Sequence, residues 1–316
     1  MQKRGKTALG KQRWYCKNCS TSSLKTRKDT HEYFLRKEFK QWLVGNSSLS
    51  EISSRKKVVR KTLTRRFSIL WHKPFQAKLE VSSGQYVYIV DGVYIHKREC
   101  CVLIVMTPKG VVDWVFVEQE NLRAWISFFK KLKVPLGVVC DGQKGLSKAL
   151  KSEWPDVRVQ RCHAHITRSM RTYLTQNPKT KAGLELQKLT KLLPTVWTRR
   201  QRRRWLHAYF KLFKKYSFFL KEKTYTTRSN GTKRWWYTHR GLRSAFFTIK
   251  HSLPELFTYI GHYHIPRTSN YVEGGINSRL KELVHRHRGL SVEKKKVLVN
   301  CFLTTKIVKK PTQNVP

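Results

Sequence analysis

The sequence predicts an α/β protein: a mixed-sheet core, interrupted by a large all-helical insertion and preceded by a small helical region. Three observations lead there. Three apolar, β-rich runs follow one another from residue 86, separated by turn signals. Helix and strand periods then alternate up to residue 162. Residues 163–262 show no strand alternation and read as almost wholly helical, dense in Lys, Arg, Trp and Phe.

Taken in order, residues 1–30 are short on apolar side chains and carry Cys16-x2-Cys19. Phe34, Leu35, Phe39, Trp42 and Leu43 fall at helical spacing, and Gly45 ends that run. Leu49 and Ile52 mark a short helix capped by Ser48 or Ser50. Val59, Leu63, Phe67 and Leu70 mark another, whose other face carries Arg60, Lys61, Thr64, Arg65 and Arg66. Two short helices with a basic second one fit a helix-turn-helix unit within 31–75; the plainer alternative is a solvated helical hairpin. YVYIVDG, ECCVLIVMTPKG and VVDWVFVEQ are strands, NLRAWISFFKKLK is a helix capped by Asn121, PLGVVCDG a buried strand, GLSKALKSEWP a helix and VRVQRC a further strand. A last helical segment starts near Asn270 and is followed by a short helix in VEKKKVLVNCFLTTK. The expected core therefore covers 84–165 and 266–305, the insertion 166–265, and a disordered tail 306–316.

Charge narrows the partner. Lys and Arg number 66 against 19 Asp and Glu, a net charge of +47. Such a surface repels itself unless a polyanion is present. Nucleic acid is the natural partner, because Lys and Arg contacts to phosphate release counterions. A membrane surface fits less well. The basic residues are spread through folded-looking segments, and no apolar run is long enough to span a bilayer. Seven cysteines, an odd number, in a chain whose start lacks the apolar stretch of a secretory signal imply reduced thiols in a cytoplasmic protein.

In a chain this poor in acids, each acid next to an apolar run carries weight. Singly, each has a plain explanation. Asp91-Gly92 reads as a hairpin turn, Asp141 as a cap for the next helix, and Asn270-x-x-Glu273 as a capping box. Together, two Asp ending strands of one sheet and a Glu opening a later helix form a set able to hold two hard divalent ions such as Mg²⁺. In such sites the ions sit roughly 3.5–4 Å apart, one activating the attacking oxygen and one stabilising the leaving oxygen. Asp113, Glu118 and Glu120 are rival ligands, ranked lower because they lie on or after a strand that reads as a half-exposed edge.

These stretches carry a family resemblance over residues 12–303. The chain resembles the Mutator-like bacterial insertion-sequence transposases of the Asp-Asp-Glu class, whose core is ribonuclease H-like. VDGVYIH resembles the first-Asp motif, VVCDGQKGLSKALKSEWPDVRVQRCHAH the second, TSNYVEGGINSRLKELVHRHRGLS the Glu motif, and QRWYCKNC the second half of an N-terminal zinc ribbon. The resemblance implies that Asp91, Asp141 and Glu273 bind the catalytic metals, two Mg²⁺ or Mn²⁺ ions, with a helical insertion between the second Asp and the Glu. It implies strand cleavage and strand transfer at terminal inverted repeats. The implied partners are double-stranded DNA, as transposon ends and target, and further copies of the chain in a dimer or higher oligomer near the bacterial nucleoid.

Several other residues are candidates for supporting parts. Cys162-x2-His165 has metal-ligand spacing but supplies two of the four ligands of a structural zinc; it reads as a local positioning pair, or as a buried Cys beside a satisfied His. His163 reads as a possible phosphate donor. Cys16 and Cys19 are half of a four-cysteine ribbon whose partner pair belongs upstream, so zinc is not expected on these two alone, and the chain reads as one started at an internal Met or carrying a decayed ribbon. Trp197, Trp205, Trp235, Trp236 and Tyr237 read mostly as core, with one of the 235–237 group reaching an unstacked DNA base. His285, Arg286, His287 and Arg288 read as phosphate contacts beside the active site, or as a solvated basic face. Asn277 lies one helical turn beyond Glu273 and is placed to hydrogen-bond a metal ligand. The competing functional readings are a non-catalytic DNA-binding remnant or repressor, and an RNA-binding or ribonucleolytic protein.

Overall fold

The computed structural model describes residues 1–24, 28–72, 86–96, 99–227, 229–269 and 273–307; the side chains of residues 28–31 and 273 fall outside that description. The chain divides into two compact units. One comprises Met1–Ala77 with Glu282–Thr305, the other Lys78–Lys281 with Lys306–Pro316.

The first unit opens on a small antiparallel sheet of β1 (Gln2–Lys6), β2 (Gln12–Tyr15) and β3 (Ser22–Leu24), in that order. Cys16 and Cys19 lie in the connection between β2 and β3. Three helices follow: α1 (Lys28–Val44), α2 (Leu49–Lys56) and α3 (Arg60–Ser68). Ser48 caps α2 in a full capping box, its hydroxyl accepting from the Glu51 amide at 3.2 Å while the Glu51 carboxylate accepts from the Ser48 amide at 2.9 Å. Phe39, Leu43, Ile52, Leu63 and Phe67 are buried, and Trp42 stacks on Phe67 with centroids 5.7 Å apart. Val59, expected on the apolar face, is instead the exposed N-cap of α3. Arg60, Lys61, Arg65 and Arg66 are all exposed.

Residues 282–305 were expected in the sheet-bearing core. They group instead with the N-terminal helices. The helix Val292–Thr304 buries Leu298, Val299, Phe302 and Leu303 and packs on α1. Its apolar face needs a partner, and α1, with no acidic or basic residue in its last turn, offers a matching one.

The second unit is built on a five-stranded mixed sheet: β4 (Val87–His96), β5 (Cys100–Thr107), β6 (Gly110–Val117), β7 (Gly137–Cys140) and β8 (Arg158–Arg161), in the order β6-β5-β4-β7-β8. The first three form an antiparallel meander, with β6 at the edge as expected. β7 runs parallel to β4, and β8 parallel to β7. Parallel neighbours need crossovers, and α4 (Leu122–Phe129) and α5 (Lys144–Glu153) supply them. Trp125, Phe129, Leu146 and Leu150 from these helices share one buried cluster with Tyr88, Val90, Leu103, Val138 and Cys140 from the strands. Asn121 caps α4, accepting from the Ala124 amide at 2.9 Å.

After β8 come α6 (His163–Leu174), α7 (Lys181–Lys191), α8 (Arg199–Lys215) and α9 (Arg240–Leu256). They enclose a second core that includes Leu186, Leu193, Tyr209, Phe246 and Ile249. Between α8 and α9 the all-helical expectation fails. β9 (Lys223–Thr227) and β10 (Lys233–Tyr237) form an antiparallel hairpin. KTYTT and KRWWY are β-branched and aromatic, and Gly231 in the turn adopts φ 78°, open to a residue without Cβ. Residues 306 and 307, expected in a disordered tail, are instead held against the sheet. The Val111 amide donates to the Lys306 carbonyl at 2.7 Å and Val111 bridges Ile307, while 308–316 lie outside the described residues, as does the connection 73–85. No described helix is long and apolar enough to cross a membrane.

Candidate active site

The sheet register brings the two predicted aspartates to neighbouring strands, Asp141 just past the end of β7 and Asp91, expected at a strand end, inside β4. β4 and β7 are parallel with Ile89 paired to Val139. Two residues on from that pair, one strand carries Asp91 and the other leads into Asp141. Strand alternation sends Tyr88 and Val90 into the helix-covered core, so Asp91 faces away from it. Asp91 is no hairpin turn: β4 continues through it to His96, and Asp91 pairs with Ile104 of β5. Its Oδ1 accepts from the Gly92 amide at 2.9 Å. Asp141 follows the last residue of β7, and its Oδ1 accepts from the Gln143 amide at 2.8 Å; the cap of α5 is Gln143, not Asp141.

Each aspartate is followed by a glycine, and each glycine makes room for a charged side chain. A Cβ on Gly92 would stand 2.6 Å from the Glu120 carboxyl carbon. A Cβ on Gly142 would stand 0.5 Å from Arg161 Nη1, and Gly142 adopts φ 80°. Arg161 uses that space to donate to the Asp141 carbonyl at 3.0 Å and to pair with Glu255 at 3.2 Å. Glu120, a rival ranked low on sequence, therefore stands close to the two aspartates. It accepts from Trp125 Nε1 at 3.2 Å, while its amide donates to the Tyr94 hydroxyl at 3.2 Å. Burial, then the charge of Asp141 and, less strongly, of Asp91, push its carboxyl up to about 7, against the Trp125 hydrogen bond. Asp113 is held by the Trp114 amide at 2.7 Å on the edge strand, and burial raises it. Glu120 and Arg161 are the residues that motif reading underrated. The signal was present in the Gly after each Asp, but what fills the space comes from 19 residues away over Gly142 and 28 over Gly92.

Glu273 opens a single turn of π-helix, Glu273–Asn277, that runs into the helix Ser278–Arg286. Asn270, its expected capping partner, lies outside the described residues, and so does the Glu273 side chain. Asn277 ends that π turn. It is buried, and its Nδ2 donates to Asp91 Oδ2 at 2.5 Å. Among the described residues nothing hydrogen-bonds its Oδ1, a buried oxygen beside the aspartate. Asp91, Asp141 and this amide oxygen are hard oxygen donors, which fits Mg²⁺ or Mn²⁺ rather than a softer metal. Among the described residues no three of His, Cys, Asp and Glu stand together as a ready metal cage.

Cys162 and His165 are adjacent at the start of α6. The Cys162 thiol is fully buried and shares a hydrogen bond with Ser269 Oγ at 3.0 Å, and the Ser269 amide donates to it at 3.3 Å. Burial works to raise the thiol, but hydrogen bonds from His165 and Ser269 outweigh it and leave the thiol below its ordinary value. His163 is not a phosphate donor. It is buried against Phe257 and Tyr259, with Nε2 2.8 Å from the Leu256 carbonyl. Burial drives it down to about 4, so it is neutral at physiological pH.

The remaining candidates separate by environment. Trp205 is core, stacked on Tyr209. Trp197 is exposed under the Arg267 guanidinium, 3.4 Å from its centroid. Trp235 is exposed on β10 and directly opposite Tyr225 of β9; Lys223 Nζ lies 3.9 Å over its ring. Trp236 is half-buried. Arg286 and His287 are engaged within the first unit. Arg286 binds the Gly45 carbonyl and Glu282, and His287 Nε2 lies 3.1 Å from the Leu43 carbonyl with its ring edge-on to Trp42. His285 and Arg288 are exposed. Cys19 is exposed and hydrogen-bonded to Thr21 and Cys16, which lower its thiol to about 7. Among the described residues no third ligand joins that pair.

The model of the Mutator family of transposases matches residues 47–227, more than half of the chain. The chain belongs to that family. It is also 32% identical over 100 residues to the transposase for insertion sequence element IS905 of Lactococcus lactis subsp. lactis (strain IL1403), a stretch that is 27% of this chain and 25% of that protein. The chain thus spans a quarter of the length of that curated relative. Among solved structures, a chain from the cryoEM structure of the simian T-cell lymphotropic virus intasome in complex with PP2A regulatory subunit B56 gamma aligns over 65% of this chain and 69% of its own. At 14% identity and a TM-score of 0.21, that match carries no argument about the fold.

Proposed function

We propose that this chain transposes DNA: it cleaves strands at the terminal inverted repeats of an insertion sequence and joins them to a target. The observation that carries the proposal is the parallel register of β4 and β7, which sets Asp91, inside β4, beside Asp141, just past the end of β7. The five-stranded sheet, in the order β6-β5-β4-β7-β8 with two crossover helices, would be a ribonuclease H-like core, and the helices from α6 to α9 with their hairpin its insertion. Asp91, Asp141 and Glu273 would hold two divalent ions, which supply the Lewis acidity that activates the attacking oxygen and stabilises the leaving one.

The protein's own groups do the rest. The Gly92 and Gln143 amides each hold one carboxylate oxygen, and Asn277 holds the other oxygen of Asp91. Asn277 orients Asp91, and its free buried Oδ1 suits a water or another proton donor on that side. Arg161 braces the Asp141 backbone from below. The exposed cations of α3 and the basic aromatic face of the β9–β10 hairpin would bind the duplex and its ends, in keeping with a net charge of +47.

The test is strand cleavage and transfer of an oligonucleotide bearing the terminal inverted repeats, with Mg²⁺ or Mn²⁺. Asp91→Asn and Asp141→Asn are each expected to lower the rate by about a hundredfold or more, because a metal ligand contributes several kcal/mol to the transition state. Full activity in Asp141→Asn would overturn the assignment. DNA binding without any metal-dependent cutting by the wild-type chain would favour a non-catalytic DNA-binding protein.

A further inference from the structure

We infer that Cys162 is a positioning residue: its thiol staples the chain that leads into Glu273 to the β8–α6 junction, beside the strand end that bears Asp141. The inference rests on the reading of Asp91, Asp141 and Glu273 as one site. It starts from the junction itself. The Cys162 amide donates to the Cys140 carbonyl at 2.9 Å, so the residue that carries the thiol is tied to the residue immediately before Asp141. The thiol then meets Ser269 twice, at Oγ and at the amide, across 107 residues of sequence. A third bond doubles the closure, from the His163 amide to the Arg267 carbonyl at 3.1 Å.

Ser269 stands four residues before Glu273, and Asn277 four residues after it. The first is bound to the Asp141 side through Cys162, the second directly to Asp91. The acid is therefore flanked by two anchors, each reaching one of the aspartate-bearing strands. The long insertion leaves the sheet at Cys162 and returns at Ser269, so the same thiol closes its two ends. The insertion is also fastened further out. The buried Gln160 donates to the Leu256 carbonyl at 2.9 Å and accepts from the Tyr259 amide at 3.1 Å. Movement of the insertion on DNA is thereby kept from reaching Glu273. A cysteine suits the position because its thiol tolerates full burial, yet accepts from several donors at once. His165 adds a bond to that sulfur and so fixes the thiol's orientation, which accounts for the x2 spacing without a metal.

The full chain carrying Cys162→Ala, Cys162→Ser or Ser269→Ala tests this. The measurements are Mg²⁺-dependent nicking of a duplex bearing the terminal inverted repeats, thermal melting, and amide hydrogen exchange. In Cys162→Ala the Mg²⁺ concentration for half-maximal nicking should rise about tenfold, the size expected when a group that orients a metal ligand is lost. Ser269→Ala should move it in the same direction, Cys162→Ser should restore most of the wild-type response, and the amides of Ser269 and His163 should lose protection in Cys162→Ala. A wild-type Mg²⁺ response in Cys162→Ala, or lost nicking that tracks only a lower melting temperature, overturns the staple. Should Cys162→Ala not fold, Ser269→Ala against Cys162→Ser carries the same comparison. If the wild-type chain does not nick at all, the catalytic reading fails and exchange alone decides: protection lost at the Ser269 and His163 amides in Cys162→Ala supports the staple, unchanged protection refutes it.

Discussion

At the scale of single residues, the two Asp-Gly pairs show how a local signal conceals a distant partner. Gly142 is needed twice over, for its φ of 80° and for the Arg161 guanidinium that fills the space of its Cβ. Gly142→Ala is expected to destabilise the fold by about 1–3 kcal/mol in urea unfolding, more than an exposed substitution would. His163 gives a pH prediction. Its folded-state value of about 4 lies below the ordinary 6.5, chiefly through burial. The unfolded chain therefore takes up the proton first, so this contribution to stability is complete above 6.5 and is lost as pH falls towards 4. The loss should reach about 3 kcal/mol by unfolding titration, and His163→Gln should flatten it. The same comparison shows what the residues disclosed. Asp91, Asp141 and Asn277 could be singled out because apolar runs and short spacings are local patterns, although Asp91 lies inside β4 and not at its end. Glu120 and Arg161 were not, since nothing near either residue says which glycine it will lie over. His163 was misread for the same reason, because its burial comes from Phe257 and Tyr259, nearly a hundred residues on.

Among the elements, the helices and the mixed sheet followed from hydrophobic period, and Ser48 and Asn121 proved to be caps as their types suggest. The β9–β10 hairpin did not. A two-stranded ribbon of Thr, Tyr, Trp and Lys has no apolar face to alternate, so the period that marks a half-buried strand is absent. On one face it presents Lys223, Tyr225, Lys233 and Trp235, all exposed. Trp235→Ala should weaken binding to DNA with unpaired ends by about 1–3 kcal/mol, the worth of one stacked base, and leave the melting temperature unchanged. The exposed basic face of α3 predicts a different signature. Arg65→Ala should weaken binding to every duplex alike and lower the slope of log K against log salt by about one. An unchanged slope would remove α3 from the DNA interface.

For the molecule as a whole, the motifs gave the family, while chain order misassigned residues 282–305. A helix that follows the Glu motif in sequence joins the N-terminal helices, because its apolar face is matched there by α1. The central claim is that Asp91 and Asp141 act jointly on divalent metal. Titration of the full-length chain with Mn²⁺, followed by the loss of the free-ion electron paramagnetic resonance signal, tests it most directly. The wild-type chain should take up Mn²⁺ saturably, and Asp91→Asn and Asp141→Asn should each lose that uptake while remaining folded. Undiminished Mn²⁺ binding in both variants would contradict the account.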